Sequence, residues 1–574
     1  MCGIFSGRTT IDNVIACLKT LRYRGHSAAG FGYYDNGPMV YKTLSSNFSF
    51  KIPPHVTSQA HTIIGHCRWP SIGKNSIENT HPIVSFDNSL MIVHNGTITN
   101  YVEIKQKLRD DLGIYSKGDT DTEVAANWLA LLNTQLAFET FFSTFEGTWA
   151  ITGIYADEPS TIFYLVKDSP LYFKKGLFAS DNSLFDKSKK LPNGFGYYNY
   201  FENKLCMFDE LGNSIKSKNI KVISNPGPVR EQVTKDDKML CEIQSQPYIN
   251  YHLEENTTQF LSQWLKKPYK SVKLIGCGSS YNAALLGKKY FNLHGIPAEV
   301  EYASEYNYLS DNTDTFVIAI SQSGETADIK EVMRNIWSDT DTVLLTNKAK
   351  PSCSEYAKCT INMDLGVEEA VAATKTFTGT CLNLLAFANA AKGHFNYDFA
   401  IDFKEMSLKI LEECDKIQDV ARKIAWNEHW FLLGTGLYYP VAREGALKLK
   451  EVSQCRIEAL PLGEGKHGSL ALQDENQTNI VLVGDSNDYA NKEKYNRVLA
   501  NCNQITSRQG KLIGLATQKV EEFDSFIKLC HSVNKLISPL VYNIALQLLA
   551  YYIAKEKGLN PDYPRSICKA VTVY

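Results

Sequence analysis

Three groups of residues have the types and spacing for chemistry. Thr315 to Asp328 reads TFVIAISQSGETAD, which sets the hydroxyls of Ser321, Ser323 and Thr326 within six residues, beside Gln322. If a helix starts near Glu325, its free backbone N–H groups and positive dipole end face the same turn, and a phosphate fits there. The chain has no GxxxxGKS/T loop, so the expected ligand is a phosphorylated small molecule rather than a nucleoside triphosphate. Taken alone, the stretch also fits a Ser-rich helix cap with no ligand. Cys2 becomes the terminal residue once Met1 is removed. A terminal cysteine carries its own general base, because an α-amino group with pKa of about 7.7 to 8.0 is partly neutral at pH 7. The alternative for Cys2 is a buried thiol at the start of an edge strand. Glu444, Lys448 and Glu451 in REGALKLKEV are spaced to share one face of a helix. A solvated salt-bridge stripe has the same spacing.

The elements that must position these residues read as α/β. Phe316 to Ile320 is a continuous apolar run of the parallel-sheet kind, ending at the hydroxyl turn. Val272 to Ile275, then Gly276-Cys277-Gly278-Ser279-Ser280, then a helix from Tyr281, makes a βα unit with a second anion-friendly turn; its spacing is not GxGxxG. The pattern recurs as Trp430 to Leu433, Gly434-Thr435-Gly436 and a helix through Glu444 to Glu451, which predicts two doubly wound subdomains. Earlier in the chain, alternation in Thr148 to Ile154 and Ile162 to Val166 predicts a β-rich region. Ser224-Asn225-Pro226-Gly227-Pro228 is a turn-rich break that fits a domain boundary.

Bulk properties exclude several classes. A chain of 574 residues, 44% hydrophobic, has the length of three or four globular domains. A net charge of -2 gives no basic field for nucleic acid or an anionic membrane. No apolar run reaches the roughly 18 residues of a bilayer span, and the start lacks the pattern of a signal peptide, so a cytoplasmic protein is expected. The 14 cysteines form no CxxC pairs or zinc-spaced clusters, which argues against a structural metal and a secreted disulfide framework.

Tyr23-Arg24-Gly25-His26, Gly65-His66-Cys67-Arg68-Trp69, Asn79-Thr80-His81-Pro82, His94-Asn95-Gly96 and Thr120-Asp121-Thr122-Glu123 follow Cys2 in that order. Together they resemble a class II glutamine amidotransferase domain. The resemblance implies an α+β N-terminal-nucleophile (αββα) glutaminase fold, with Cys2 attacking the glutamine amide and Asn95 and the Gly96 backbone forming the oxyanion hole. It further implies Arg68 on the glutamine α-carboxylate, Asp121 on the α-ammonium, and Trp69, Ser71 and His81 in the same pocket. Trp69 resembles the indole that gates ammonia passage. The segment departs from the family pattern at Ser27 and Ala28 and at Pro70-Ser71-Ile72-Gly73.

The rest of the chain resembles the paired sugar-isomerase (SIS) subdomains of the glutamine:fructose-6-phosphate aminotransferase family. The implied organisation is a glutaminase domain at 2–220, a linker at 221–245, SIS subdomains at 246–405 and 406–560, and a C-terminal catalytic tail at 561–574. The resemblance implies sugar-phosphate contacts from Ser280, Ser321, Gln322, Ser323, Thr326, Val371 and Ala372, with Thr374 and Lys375 in the same loop. It implies catalytic roles for Glu444, Lys448 and Glu451, the last moving a proton between C1 and C2. His467 in GEGKHG matches the ring-opening histidine, and Lys569 matches a Schiff-base lysine in the tail. Gly465 and Ser469 depart from the family there, as do Cys568 and Tyr574 in the tail.

The implied reaction takes ammonia from glutamine and converts fructose-6-phosphate to glucosamine-6-phosphate, the first step of hexosamine synthesis, with no dissociable cofactor and no metal. The implied partners are the two substrates and further copies of the chain, as a dimer or tetramer through the SIS half. Two other readings compete: a sugar-phosphate-binding regulator without chemistry, and a glutamine-dependent deglycase or an aminotransferase for another sugar phosphate. Joint retention of Cys2, Glu451, His467 and Lys569 argues against the first.

Overall fold

The computed structural model describes residues 2–25, 27–45, 47–53, 59–69, 72–131, 135–216, 220, 222–224, 237–308, 314–338, 340–489, 492–530, 534–565, 567 and 569. The chain divides into two compact units, Met1–Val233 with Arg565–Tyr574, and Thr234–Pro564.

The first unit is built from two antiparallel sheets. One holds eight strands, in the order Val222–Ser224, Lys187–Lys190, Tyr172–Lys174, Leu177–Ala179, Gly3–Thr10, Ala60–Arg68, Ala28–Tyr34, Pro38–Thr43. The other holds six, in the order Lys204–Phe208, Gly194–Asn199, Thr161–Lys167, Gly147–Tyr155, Leu90–Ile98, Ile83–Val84. Strand alternation sorts the side chains into layers. Ile4 and Ile64 from the first sheet and Met91 and Val93 from the second share one inter-sheet core. Phe5 and Ile63 point the other way, onto the helix Ile11–Thr20 with Val14 and Leu18. Leu90 and Ile92 likewise turn outward to a core with Val124, Ala125 and Phe141 from the helices Asp121–Leu131 and Gln135–Thr144. Ser6 and Thr152 hydroxyls, 2.7 Å apart, bridge the two sheets within the inner layer. The result is helix, sheet, sheet, helix.

The second unit holds two five-stranded parallel sheets of identical topology. The first runs Ala298–Tyr302, Ser271–Gly276, Thr315–Ile320, Thr342–Thr346, Cys359–Asn362, and the second Arg456–Pro461, His429–Gly434, Gln477–Val483, Lys511–Ala516, Ser525–Lys528. In both, the first strand in sequence is second in space, so the order reverses between the first and third strands, and a crevice forms at their carboxyl ends. Thr315–Ile320 and Gln477–Val483 are buried along their whole length, as strands covered on both faces require. One core joins the inner faces of both sheets to the helices Ser279–Leu293, Lys375–Ala390, Tyr438–Ser453 and Ser538–Glu556. The 19-residue helix Ser538–Glu556 is buried almost throughout, yet among the described residues no helix is long and apolar enough to cross a membrane.

The helix expected near Glu325 is Ala327–Ile336, with Thr326 at its N-cap. Glu325 is held out of the helix because its carboxylate accepts from Ser352 N–H (3.0 Å) and Ser352 Oγ–H (2.6 Å).

Candidate active sites

In the first unit, Cys2 lies at the start of the strand Gly3–Thr10, which pairs antiparallel with Ala60–Arg68, Gly3 opposite Cys67. That pairing carries residue 69 past the thiol: Trp69 N–H donates to Cys2 Sγ (3.2 Å), and the thiol faces Trp69 O (3.4 Å). Asn95 Nδ2 donates to Cys2 O at 2.9 Å, which brings the side-chain amide to Cys2 itself. Gly96 is next, with φ +133, and a Cβ on it would meet Thr148 O at 2.0 Å, so only glycine fits this close approach.

Three buried histidines stand behind this pair. His66 Nε2 lies 3.0 Å from His94 O and 3.2 Å from Asn95 Oδ1. Both are acceptors, so Nε2 carries the proton, and its bond to Oδ1 aims Asn95 Nδ2 toward Cys2. Burial, reinforced by Arg68 and His94, lowers His66 to a pKa of about 3, so the ring is neutral at pH 7. His81 is pushed well down by burial and by the neighbouring His66 and Arg68, and its Nδ1 accepts from His94 N–H (3.3 Å). His94 Nδ1 lies 3.0 Å from Thr122 Oγ1 and 4.0 Å from Asp121 Oδ2. The Asp121 carboxylate opens the helix Asp121–Leu131 and accepts from Ile98 N–H (3.0 Å) and Thr122 N–H (2.9 Å). Arg68 is buried, and its terminal nitrogens donate to Ile72 O (2.8 Å) and Lys74 O (3.0 Å). Ser71 lies outside the described residues.

Sequence reasoning gave no role to Arg24 or Asp181, although Arg24 lies in one of the segments that carry the resemblance. Arg24 Nε donates to Cys2 O (3.2 Å), and its guanidinium forms a buried ion pair with Asp181 at 2.7 Å. The two are 157 residues apart, and no spacing rule joins them. Positioning of Asn95 by His66 was missed for the same reason.

In the second unit, the two turns at the switch point of the first sheet lie at the ends of Ser271–Gly276 and Thr315–Ile320. Ser280 is the second residue of the helix Ser279–Leu293. Ser321 Oγ accepts from Gly324 N–H (3.0 Å) and lies 3.0 Å from Thr326 Oγ1. Thr326 makes no side-chain cap bond, so its hydroxyl belongs to the turn rather than to the helix end. Gln322 O accepts from Asn347 N–H (3.0 Å) and Thr346 Oγ1–H (3.2 Å), which ties the turn to the neighbouring strand's end. Ser323 Oγ accepts from Glu325 N–H (3.2 Å).

The loop carrying Val371 and Ala372 is held by acids that sequence reasoning passed over. Glu242 Oε1 accepts from Ala370 N–H (3.0 Å), and Glu368 accepts from the N–H groups of Thr374 (2.9 Å) and Thr376 (3.1 Å). Asp562 O accepts from Val371 N–H at 3.0 Å, while its carboxylate takes the first N–H groups of the helix Lys238–Ser245.

The helix Tyr438–Ser453 brings Glu444, Lys448 and Glu451 together. Glu444 and Lys448 are fully buried and the Glu451 side chain is 21% exposed, so this is no solvated stripe. Lys448 Nζ lies 3.3 Å from Glu444, is hydrogen-bonded to Glu451, and donates to Ser279 Oγ (3.2 Å). Ser279 Oγ–H in turn donates to Glu444 Oε1 (2.9 Å). Burial alone would lower Lys448, but Glu444 and Glu451 outweigh it and hold the ammonium above its ordinary range. Lys448 is therefore a fixed cation, and Glu451 is the member of the cluster that reaches solvent. His467 sits in an exposed turn, its N–H bonded to Glu464 O (2.9 Å), and no described contact joins it to Glu451. Lys569 belongs to the segment Arg565–Tyr574 of the first unit. Among the described residues no His, Cys, Asp and Glu group could hold a metal ion.

Comparison with known proteins agrees with both halves. A glutamine amidotransferase domain family model matches residues 68–187, and a SIS domain family model matches residues 267–390. The chain is 32% identical to the glutamine--fructose-6-phosphate aminotransferase (isomerizing) of Methanosarcina acetivorans, with 100% of both chains covered. It is 31% identical to the protein of the same name from Aquifex aeolicus, again over 100% of both. Among solved structures it is similar to the C-terminal domain of glucosamine-fructose-6-phosphate aminotransferase from Francisella tularensis, at 29% identity and a TM-score of 0.52, covering 58% of this chain and 100% of that one. With the two halves, their topology and full-length similarity in agreement, the chain belongs to the glutamine–fructose-6-phosphate aminotransferase (isomerizing) family.

Proposed function

We propose that this chain transfers the amide nitrogen of glutamine to fructose-6-phosphate and isomerises the product to glucosamine-6-phosphate, the entry step of hexosamine synthesis. Cys2, freed at its α-amino group by removal of Met1, attacks the glutamine amide carbon. The oxyanion is held by Asn95 Nδ2 and the Gly96 N–H, and ammonia leaves as the thioester forms. Arg68 and Asp121 take the glutamine α-carboxylate and α-ammonium, with Trp69, Ser71 and His81 completing the pocket. Ammonia used without release to water stays an unprotonated nucleophile.

In the sugar half, Ser280, Ser321, Gln322, Ser323 and Thr326 hold the phosphate, and Val371 and Ala372 line the pocket. Lys569 forms the Schiff base with the open-chain ketose. Glu451 moves the proton between C1 and C2, while Lys448 and Glu444 fix its charge environment. The observation that carries this reading is the bonding of Ser279, next to Ser280, to both Glu444 and Lys448. It joins the anion-friendly turn of one sheet to the acid and lysine of the other. His467, exposed within one chain, serves a neighbouring copy in a homo-oligomer formed through the unit Thr234–Pro564. The reaction needs neither metal nor dissociable cofactor and takes place in the cytoplasm.

The test is glucosamine-6-phosphate formation from fructose-6-phosphate and glutamine, comparing wild type with Cys2→Ala and checking the N-terminal residue by mass. Wild type forms product and Cys2→Ala does not, and added ammonia restores product to Cys2→Ala. Absence of product from wild type with a free Cys2 overturns the reading in favour of the regulator.

A further inference from the structure

Arg443 precedes the acid of the Glu444–Lys448–Glu451 cluster, but its side chain is engaged elsewhere. Its Nε donates to Asn282 Oδ1 at 3.3 Å, and a terminal nitrogen donates to Tyr302 Oη at 2.8 Å. Its guanidinium carbon lies 5.6 Å from the centre of the Tyr281 ring, and Tyr281 stacks on Tyr302 with ring centres 3.5 Å apart and planes within 7°. Its other terminal nitrogen donates to Tyr439 Oη at 3.5 Å, so the guanidinium is fixed by three hydrogen bonds and an aromatic face.

Asn282 is where this matters. It is 5% exposed, and its Nδ2 donates to Glu444 Oε2 at 2.9 Å. An amide is nearly symmetric in shape, so its orientation is decided by the partners at its two ends. With Oδ1 on the Arg443 donor and Nδ2 on the Glu444 acceptor, both ends are matched. Reversed, the amide would set an N–H against a guanidinium and a carbonyl oxygen against a carboxylate. Glu444, fully buried, receives Asn282 Nδ2–H on one oxygen and Ser279 Oγ–H on the other, and Lys448 lies beside it. Loss of the Asn282 donor would leave a buried carboxylate oxygen short of a partner and free Lys448 to shift away from Glu451.

We propose that Arg443 is a positioning residue for the isomerisation, locking the Asn282 amide so that Glu444 and Lys448 stay aimed at Glu451. The inference rests on Glu451 being the proton-transferring carboxylate. It assigns a task to a cation that touches none of the proposed catalytic groups, and it makes the Tyr281–Tyr302 pair the clamp that holds that cation.

The experiment uses the full chain, with saturating glutamine and varied fructose-6-phosphate. Arg443→Leu is expected to lower kcat for glucosamine-6-phosphate about tenfold, with KM for the sugar within about twofold and glutamine hydrolysis at Cys2 unchanged. Arg443→Lys, which keeps a donor for Asn282 Oδ1, is expected to recover most of that loss. Combining Arg443→Leu with Asn282→Ala is expected to cost no more than Asn282→Ala alone, since both remove the same bond. A wild-type kcat for Arg443→Leu overturns the inference, and so does an additive double variant. So does a fall in glutamine hydrolysis that matches the fall in kcat, which would mark a general loss of folded protein. If Glu451→Gln keeps full turnover, the reading of the cluster itself fails, and that outcome is separate from any result at Arg443.

Discussion

The two sheets of the second unit have one topology and opposite chemistry. In the first, the third strand ends in hydroxyls, Ser321, Ser323 and Thr326, and the one carboxylate between Ser321 and Thr326, Glu325, is bonded to Ser352. In the second, the matching strand Gln477–Val483 ends in Gly484-Asp485-Ser486-Asn487-Asp488. There Asp488 accepts from Tyr438 Oη–H (2.6 Å) and Asp485 N–H (2.8 Å), and the Tyr438 hydroxyl lies 2.8 Å from Ser538 Oγ. Burial raises Asp488, as it does any carboxyl withdrawn from water. An anion entering this second crevice would meet acids where the first offers hydroxyls. The difference lies in the helix after the first strand as well: one copy begins Ser279-Ser280, and the other carries Glu444, Lys448 and Glu451 further along. One crevice offers hydroxyls, and the other half of the pair contributes the face of the helix Tyr438–Ser453, whose Glu444 and Lys448 bond to Ser279 of its neighbour.

The largest effect is expected at Lys448, the cation shared by the two acids. Lys448→Met leaves Glu444 buried without its charge partner, which costs about 3–5 kcal/mol for a buried pair broken on one side. Turnover of fructose-6-phosphate is expected to fall at least about a hundredfold, with thermal unfolding of the sugar half at a lower temperature. Glutamine hydrolysis at Cys2 should persist. Replacing Lys448 and Glu444 together, by Met and Gln, should recover part of the stability but not the turnover. Recovery of turnover would show that the helix contributes packing alone.

Next in size is a test of the two crevices against each other. Ser321→Ala combined with Thr326→Val removes the paired hydroxyls of the first turn, and KM for fructose-6-phosphate is expected to rise about tenfold or more. Asp488→Ala, the corresponding change in the second, should leave that KM within about twofold. It should still lower stability by about 1–3 kcal/mol, because the buried Tyr438 hydroxyl loses an acceptor. A KM shift from Asp488→Ala would mean that the second crevice also binds substrate.

Much of this arrangement is legible in the sequence because it is local. The apolar runs Phe316 to Ile320 and Trp430 to Leu433 fall within the strands Thr315–Ile320 and His429–Gly434, and the recurring glycine turns sit at their carboxyl ends. The i, i+4, i+7 spacing places Glu444, Lys448 and Glu451 on one helix face. Burial was not legible, since the same spacing suits a surface stripe; the partners that remove these side chains from water, Ser279 and Asn282, are 165 and 162 residues from Glu444. Glu242 and Asp562 escaped for a related reason: each is an isolated acid in sequence, and its task is to take backbone N–H groups from a distant loop or helix start.

The smallest expected effect tests whether the two copies are packed equally closely. Gly287 of the helix Ser279–Leu293 faces Leu384 of its packing partner, and Gly445 of the helix Tyr438–Ser453 faces Leu546 of its own. A Cβ at Gly287 would meet Leu384 Cδ1 at 2.7 Å, with its next contact at 3.3 Å, so the end of one side chain must turn aside. At Gly445 it would meet Leu546 Cδ1 at 2.5 Å, Leu546 Cγ at 3.1 Å and Leu432 Cδ1 at 3.2 Å, a tighter set of contacts. Alanine gains about 1 kcal/mol over glycine in a helix interior, and overpacking costs about 1–3 kcal/mol. The terms nearly cancel for Gly287→Ala, whereas Gly445→Ala is expected to lose about 1–2 kcal/mol in chemical denaturation. Because Gly445 adjoins Glu444, its substitution should also lower sugar turnover slightly, while Gly287→Ala should not. Equal losses at both sites would mean that the two interfaces tolerate a methyl group alike, and that the copies differ in chemistry but not in packing.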